Sequence, residues 1–273
     1  MNNCLDLSIN IISLGEFDYP PAVTGPEGSD FEESFNKSIQ KAKDSYNHPV
    51  FLVMGSRHDY DESTKTCANQ ARIFAKNLLE NLDKRPPTDD RPILHEKLVS
   101  ATKAGERISR QKVSNLKFYS TKFGHLGVLI CVGAYNSTVL FSLRNSKLSN
   151  QLQSLDIILV PAYNYNDKLY YACQTLSLLC GCYVVLIDAC SRSSRADVPK
   201  PQLTELFAAG RSFRSLDQTN PDVGEHLDIG SDLISAWEIS MDFLNSVRRS
   251  NQSDANPFFI SVKNYVSQTS LTS

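Results

Sequence analysis

The chain has 273 residues, of which 41% are hydrophobic and 21% charged, and a formal net charge of −2. This balance excludes a disordered chain and suits one large α/β domain or two small ones. A general nucleic-acid surface would be basic, so that class is disfavoured, and no apolar run reaches the ~18 residues of a bilayer-spanning helix.

The opening MNNCLDLSINIISLGEF has neither a basic leader nor a cleavage pattern, so no signal peptide is expected. Cysteine occurs seven times, at Cys4, Cys67, Cys131, Cys173, Cys180, Cys182 and Cys190. An odd count, with several members in apolar runs, suits a reducing compartment and a cytoplasmic protein.

Ser8–Leu14 reads as a buried strand, Pro20 to Gly28 as a loop, and Phe31–Tyr46 as a helix with its lysines on a polar face. Val50–Met54 is the next strand, closed by Gly55-Ser56, and Asn69–Leu79 fits strand or helix equally well. Lys84–Pro92 is a charged, proline-rich loop. His125–Val132 is a strand, a polar helical segment runs on to Ser154, and Leu155–Val160 is a strand stopped by Pro161. Asp167–Cys180 reads as a helix and Cys182–Ile187 as a strand. Leu233–Ile239 and Pro257–Val262 are later strands, and Ser267–Ser273 is a polar tail. Apolar strands separated by helices define an α/β protein.

Three segments end an apolar run on, or beside, a reactive side chain, and strand ends are where α/β sheets collect catalytic groups. They are Ile11–Phe17 with Glu16, His95–Leu98 with Lys97 and then Glu106 nine residues on, and Gly127–Gly133 with Cys131. Singly, each has a bland reading: a loop acid, a surface lysine, an inert core thiol.

Taken in order, these segments resemble the nitrilase superfamily. IISLGEFDYPP resembles its glutamate segment, ILHEKLVSATKAGE its lysine segment with a further glutamate, and GHLGVLICVGAYN its cysteine segment. VFLVMGSRHD, Asn69, LDIILVPAYN and SDLISAWEISMDFLNSVR extend the likeness from about Leu7 to Arg248. The resemblance implies a four-layer α-β-β-α sandwich, with residues 1–250 as a carbon–nitrogen hydrolase domain and 251–273 as an extension. The family's first strand has no counterpart before Glu16, and Pro257–Val262 is a candidate replacement.

The implied chemistry cleaves an amide, nitrile or carbamoyl C–N bond through a cysteine thioester. Cys131 would be the nucleophile, Lys97 the cation beside it, Glu16 the proton carrier, and Glu106 the residue that positions the lysine or substrate. Val132, Gly133, Tyr135 and Asn136 would shape the pocket, with the Val132 amide a second oxyanion donor. The alternatives are acyl transfer to an amine, and a nitrilase-fold domain with impaired catalysis and a binding or regulatory role. Gly133 stands where the family often has an acidic or polar residue, which motivates the second alternative. The expected partners are a small amide-type substrate and further copies of the chain, without membrane, nucleic acid or cofactor.

Other patterns are weaker. Cys180-Gly181-Cys182 lacks paired metal-ligand spacing, and His95-Glu96 has Val99 where a zinc motif needs histidine. Arg192, Arg195, Lys200, Arg211 and Arg214 read as a solvated loop or as an anion clamp, with Arg192 the candidate substrate contact; a local nucleic-acid surface stays open.

Overall fold

The computed structural model describes residues 11–14, 26–45, 50–61, 63, 65–76, 78–81, 92–102, 106–108, 116–121, 124–148, 155–163, 168–188, 204–208, 211–214, 227–229, 232–234, 237–238, 241, 244–245 and 263–264. A four-stranded sheet has the order β1 (Ile11–Ser13), β2 (Val50–Asp61), β3 (Thr66–Lys76), β5 (Ile93–Glu96). A seven-stranded sheet runs β11 (Arg211–Arg214), β10 (Thr204–Ala208), β9 (Tyr183–Asp188), β8 (Ile157–Ala162), β7 (Gly124–Val128), β6 (Phe118–Thr121), β4 (Leu78–Asn81). Within it, β7, β8 and β9 are parallel, and the remaining pairs are antiparallel.

The two sheets face each other. Phe51, Val53, Ala71 and Ile73 of the small sheet share one buried cluster with Leu126, Val128, Ile157 and Leu159 of the large one. The Phe51 and Tyr119 rings meet across the gap at 5.3 Å. Helix α1 (Pro26–Ser45) covers the other face of the small sheet, where Ile39 packs with Val50, Leu52, Met54 and Phe74. Helices α2 (Ser137–Leu148) and α3 (Lys168–Cys180) accompany the large sheet, and Tyr170 of α3 stacks edge-on against Phe207 of β10. The fold is a mixed α/β one built on two sheets, the α/β class the sequence implies.

A bulge in β2 sets which residues face inward. Val53 pairs with Ile73, but the next pair is Ser56 with Ala71, so Met54 and Gly55 together oppose one residue. Gly55 has φ +72°, a conformation that side chains resist. Strand side chains alternate with period two, and one inserted residue exchanges the faces beyond it. Ser56 and His58 thus join Val53 on the inner face. Arg57 and Asp59 turn to the helix face, where Arg57 bonds Glu32 of α1 at 2.7 Å and Asp59 at 2.6 Å. Arg72 adds a 2.9 Å bridge to Asp59.

Several sequence expectations need correction. The loop expected to Gly28 gives way to helix at Pro26, since proline is tolerated in a first turn whose N–H groups lack helical partners. Asn69–Leu79 belongs to two strands, β3 and β4. The strand before Cys131 stops at Val128. Pro161 does not stop β8, which continues to Ala162: β7 last pairs at Leu159, so the missing N–H falls where that neighbour has left. Leu233–Ile239 is broken into parts of β13 (Asp232–Ile234) and β14 (Trp237–Glu238). Arg211 and Arg214 lie in β11 and not in a loop. Strand β12 (Leu227–Ile229) pairs with β13, and β14 pairs with β15 (Lys263–Asn264), each as a separate two-stranded sheet. Pro257–Val262, Ser267–Ser273 and residues 84–91 lie outside the described residues.

Candidate active site

The inner face of the small sheet changes character along its strands. Phe51, Val53, Ile73 and Ile93 are apolar, whereas the far end presents Ser56, His58, Asn69 and His95. Lys97 follows β5 and stays in register, its N–H donating to the Asn69 carbonyl at 2.7 Å. Strand alternation therefore places Lys97 on the same face as His95.

Glu106 closes the loop that Lys97 opens. Its N–H donates to the Ala101 carbonyl at 3.3 Å, and its own carbonyl accepts the Ser100 hydroxyl at 2.6 Å. The carboxylate collects donors from three directions. Oε1 accepts Lys97 Nζ at 3.0 Å, Asn69 Nδ2 at 3.0 Å and His58 Nε2 at 2.8 Å. Oε2 takes the Ala101 N–H at 2.6 Å and Lys97 Nζ at 2.9 Å. The side chains of Lys97 and Glu106 are only 1% and 6% exposed, so the pair is shielded from solvent. Burial pushes the Glu106 carboxyl upward, but the bonds from Asn69 and Ala101, the charge of Lys97 and the bond from His58 outweigh it and hold the group at about 2. It is a fixed anion at neutral pH.

His95 joins the two sheets beneath this pair. It is buried, and its Nδ1 lies 2.8 Å from the Tyr119 hydroxyl of β6. Its ring also bonds the Val128 carbonyl at the end of β7. With Nδ1 occupied by Tyr119, the donor to Val128 is Nε2–H, the neutral tautomer that satisfies both partners. Burial, the first cause, and the Lys117 charge lower this imidazole to about 4 against the bond to Val128.

Cys131 lies three residues beyond Val128, at the start of a 3-10 turn, Cys131–Tyr135. Its φ is +49°, a left-handed conformation that costs a non-glycine residue on the order of 1 kcal/mol or more. The turn is enforced by its neighbours. Leu129 N–H donates to Leu159 at 2.9 Å, Gly133 N–H donates to Ile130 at 3.1 Å, and Leu129, Ile130, Val132 and Ala134 are buried. Leu98 and Cys131 belong to the same buried cluster, which links the lysine segment to the cysteine segment.

Lys97 and Glu106, joined from sequence, do meet, and Asn69 meets them. Val132 and Gly133 are buried in the turn, and Tyr135 is exposed. Asn136 has a structural duty: its Oδ1 accepts the Thr138 and Val139 N–H groups at 3.0 and 3.2 Å, capping α2. Glu16 and Arg192 lie outside the described residues. Sequence reasoning missed His58 and His95. Strand alternation back from Lys97 could have found His95; His58 depends on the bulge. Among the described residues no cluster of His, Cys, Asp and Glu could hold a metal ion, and no helix is long and apolar enough to cross a membrane.

No family model and no curated protein matches the chain. Solved structures do. Nit3 of Saccharomyces cerevisiae, a member of branch 10 of the nitrilase superfamily, superposes with a TM-score of 0.60 at 14% identity, over 94% of this chain and 87% of that one. A carbon–nitrogen hydrolase from Helicobacter pylori gives 0.59 at 14% identity, covering 92% and 84%. A mutant amidase from Nesterenkonia sp., bearing acrylamide added at its active site cysteine, gives 0.52 at 13% identity, covering 77% of each or nearly so (77% and 76%). At these identities the likeness is one of fold, and the fold is that of the nitrilase superfamily.

Proposed function

Because the chain has the nitrilase-superfamily fold, we propose that it is a thiol-dependent hydrolase that cleaves the C–N bond of a small amide. The observation that carries this reading is the backbone of Cys131. A cysteine held at φ +49° just beyond a buried strand is a costly placement for a mere core residue. The buried Lys97–Glu106 pair supplies the second element, a fixed cation with its own anchor.

The reaction then runs in two halves. The thiol proton of Cys131 passes to the Glu16 carboxylate, and the sulfur attacks the carbonyl carbon to form a C–S bond. Lys97 Nζ and the Val132 amide stabilise the oxyanion. As the C–N bond breaks, Glu16 hands its proton to the departing amine or ammonia. Water, deprotonated by Glu16, attacks the thioester, the C–S bond breaks, and the acid leaves as the thiol regains its proton. Glu106 touches no reacting atom here; it positions Lys97.

Ammonia release from a panel of small amides tests the proposal. Cys131→Ala is expected to abolish release while circular dichroism and melting stay close to the parent chain. Turnover that persists in this variant would overturn the assignment.

A further inference from the structure

His58 contributes a contact that the proposed reaction does not use. It lies on β2 opposite Asn69, on the inner face, only because the Gly55 bulge exchanged the faces of that strand. Its Nε2 sits 2.8 Å from the Glu106 oxygen that also receives Lys97 and Asn69. Its side chain is 41% exposed, whereas Glu106 is 6% exposed. His58 thus spans from solvent to a buried ion pair.

Resting on the reading above, we propose that His58 is a positioning residue of the site, which orients the Glu106 carboxylate from the solvent side and through it sets how tightly Lys97 is held. Three donors share Oε1, so the strength of one bears on the other two. The His58 contact therefore bears directly on the oxygen that holds the enclosed Lys97.

Glu106 is a direct partner of His58. Tyr60 shares the His58 face of β2, and Cys67 and Asn69 face it from β3. Lys97 and Glu106 face it from the loop after β5. Arg57 and Asp59 turn the opposite way, toward Glu32 of α1 and Arg72 of β3. Cys67 itself feels Glu106, since burial and the charges of Glu106 and Asp59 raise its thiol.

The exposure of His58 makes the test clean, because its replacement need not disturb the core. His58→Leu is expected to lower kcat by about threefold to tenfold with KM little changed. His58→Gln keeps an N–H donor and should recover most of kcat. Initial rates of Cys131 labelling by iodoacetamide provide a substrate-free arm, with Lys97→Met as reference.

If Lys97→Met slows labelling and His58→Leu alters neither labelling nor kcat, the role of His58 is refuted and the reading of the site stands. If Lys97→Met leaves labelling unchanged, or Cys131→Ala still turns over amide, the underlying reading fails instead. Equal loss of kcat in both His58 variants would also refute the positioning role.

Discussion

Lys97 follows the edge strand of the four-stranded sheet, Cys131 follows an inner strand of the seven-stranded sheet, and the two are held by different forces. Around Lys97 the restraints are charged hydrogen bonds that converge on Glu106 from β2, β3 and the loop itself. Around Cys131 they are packing and backbone bonds: buried Leu129, Ile130, Val132 and Ala134 hold a turn that the cysteine backbone would not choose. The charged half should respond to pH and to loss of single polar atoms. The packed half should respond to volume and chain direction. His95 belongs to both, since it lies two residues before Lys97 and binds the strand end that leads to Cys131.

The comparison predicts a separation of activity from stability. Cys131→Ala removes the thiol with little change of shape, so turnover should fall by about 10³-fold or more while the melting temperature holds. Glu106→Gln should strike both quantities. It removes the Glu106 charge from the enclosed Lys97, a loss of about 3 kcal/mol by urea denaturation, and the displaced ammonium should lower kcat by about 100-fold. Equal effects of the two changes on stability would break the distinction.

Acid titration sharpens it. The folded His95 imidazole is lowered to about 4, so the unfolded chain takes up a proton that the folded chain refuses. Its contribution is present above about 6.5 and lost as pH falls toward 4, on the order of 3 kcal/mol in all. Glu106 is lowered from 4.5 to about 2, so its contribution is present above 4.5 and lost only on the way to 2. Urea midpoints should fall between pH 7 and 4.5 in the parent chain, and much less in His95→Gln. A parent chain whose stability is flat over that interval would contradict the buried neutral imidazole. The smallest effect is at Gly133. A Cβ there would meet only Leu129 Cβ, at 4.0 Å, so Gly133→Ala should fit and stabilise by about 0.5 kcal/mol.

The legibility of the two halves in the sequence differs for the same reason. Buried strands such as Ile157–Ala162 and Tyr183–Asp188 are near-continuous apolar runs, and period and composition place them within one or two residues. The order Glu16, Lys97, Cys131 points to the fold, and Glu106 follows from the lysine segment. What could not be read is whatever depends on pairing. The bulge that brings His58 inward is a relation between β2 and β3, and one glycine in a strand does not announce it. The hairpin of β10 and β11 was missed because its arginines and polar residues mimic a loop. The capping role of Asn136 hides behind its closeness to Cys131, until the helix that begins at Ser137 is seen.

In the proposed reaction Cys131 carries the acyl group as a covalent intermediate. Mixing the protein with a turned-over amide, quenching in acid and mapping peptides by mass spectrometry measures it directly. The acyl mass is expected on the peptide that contains Cys131, and is expected to be absent in Cys131→Ala. Turnover without an adduct there, or an adduct on another cysteine, would contradict it.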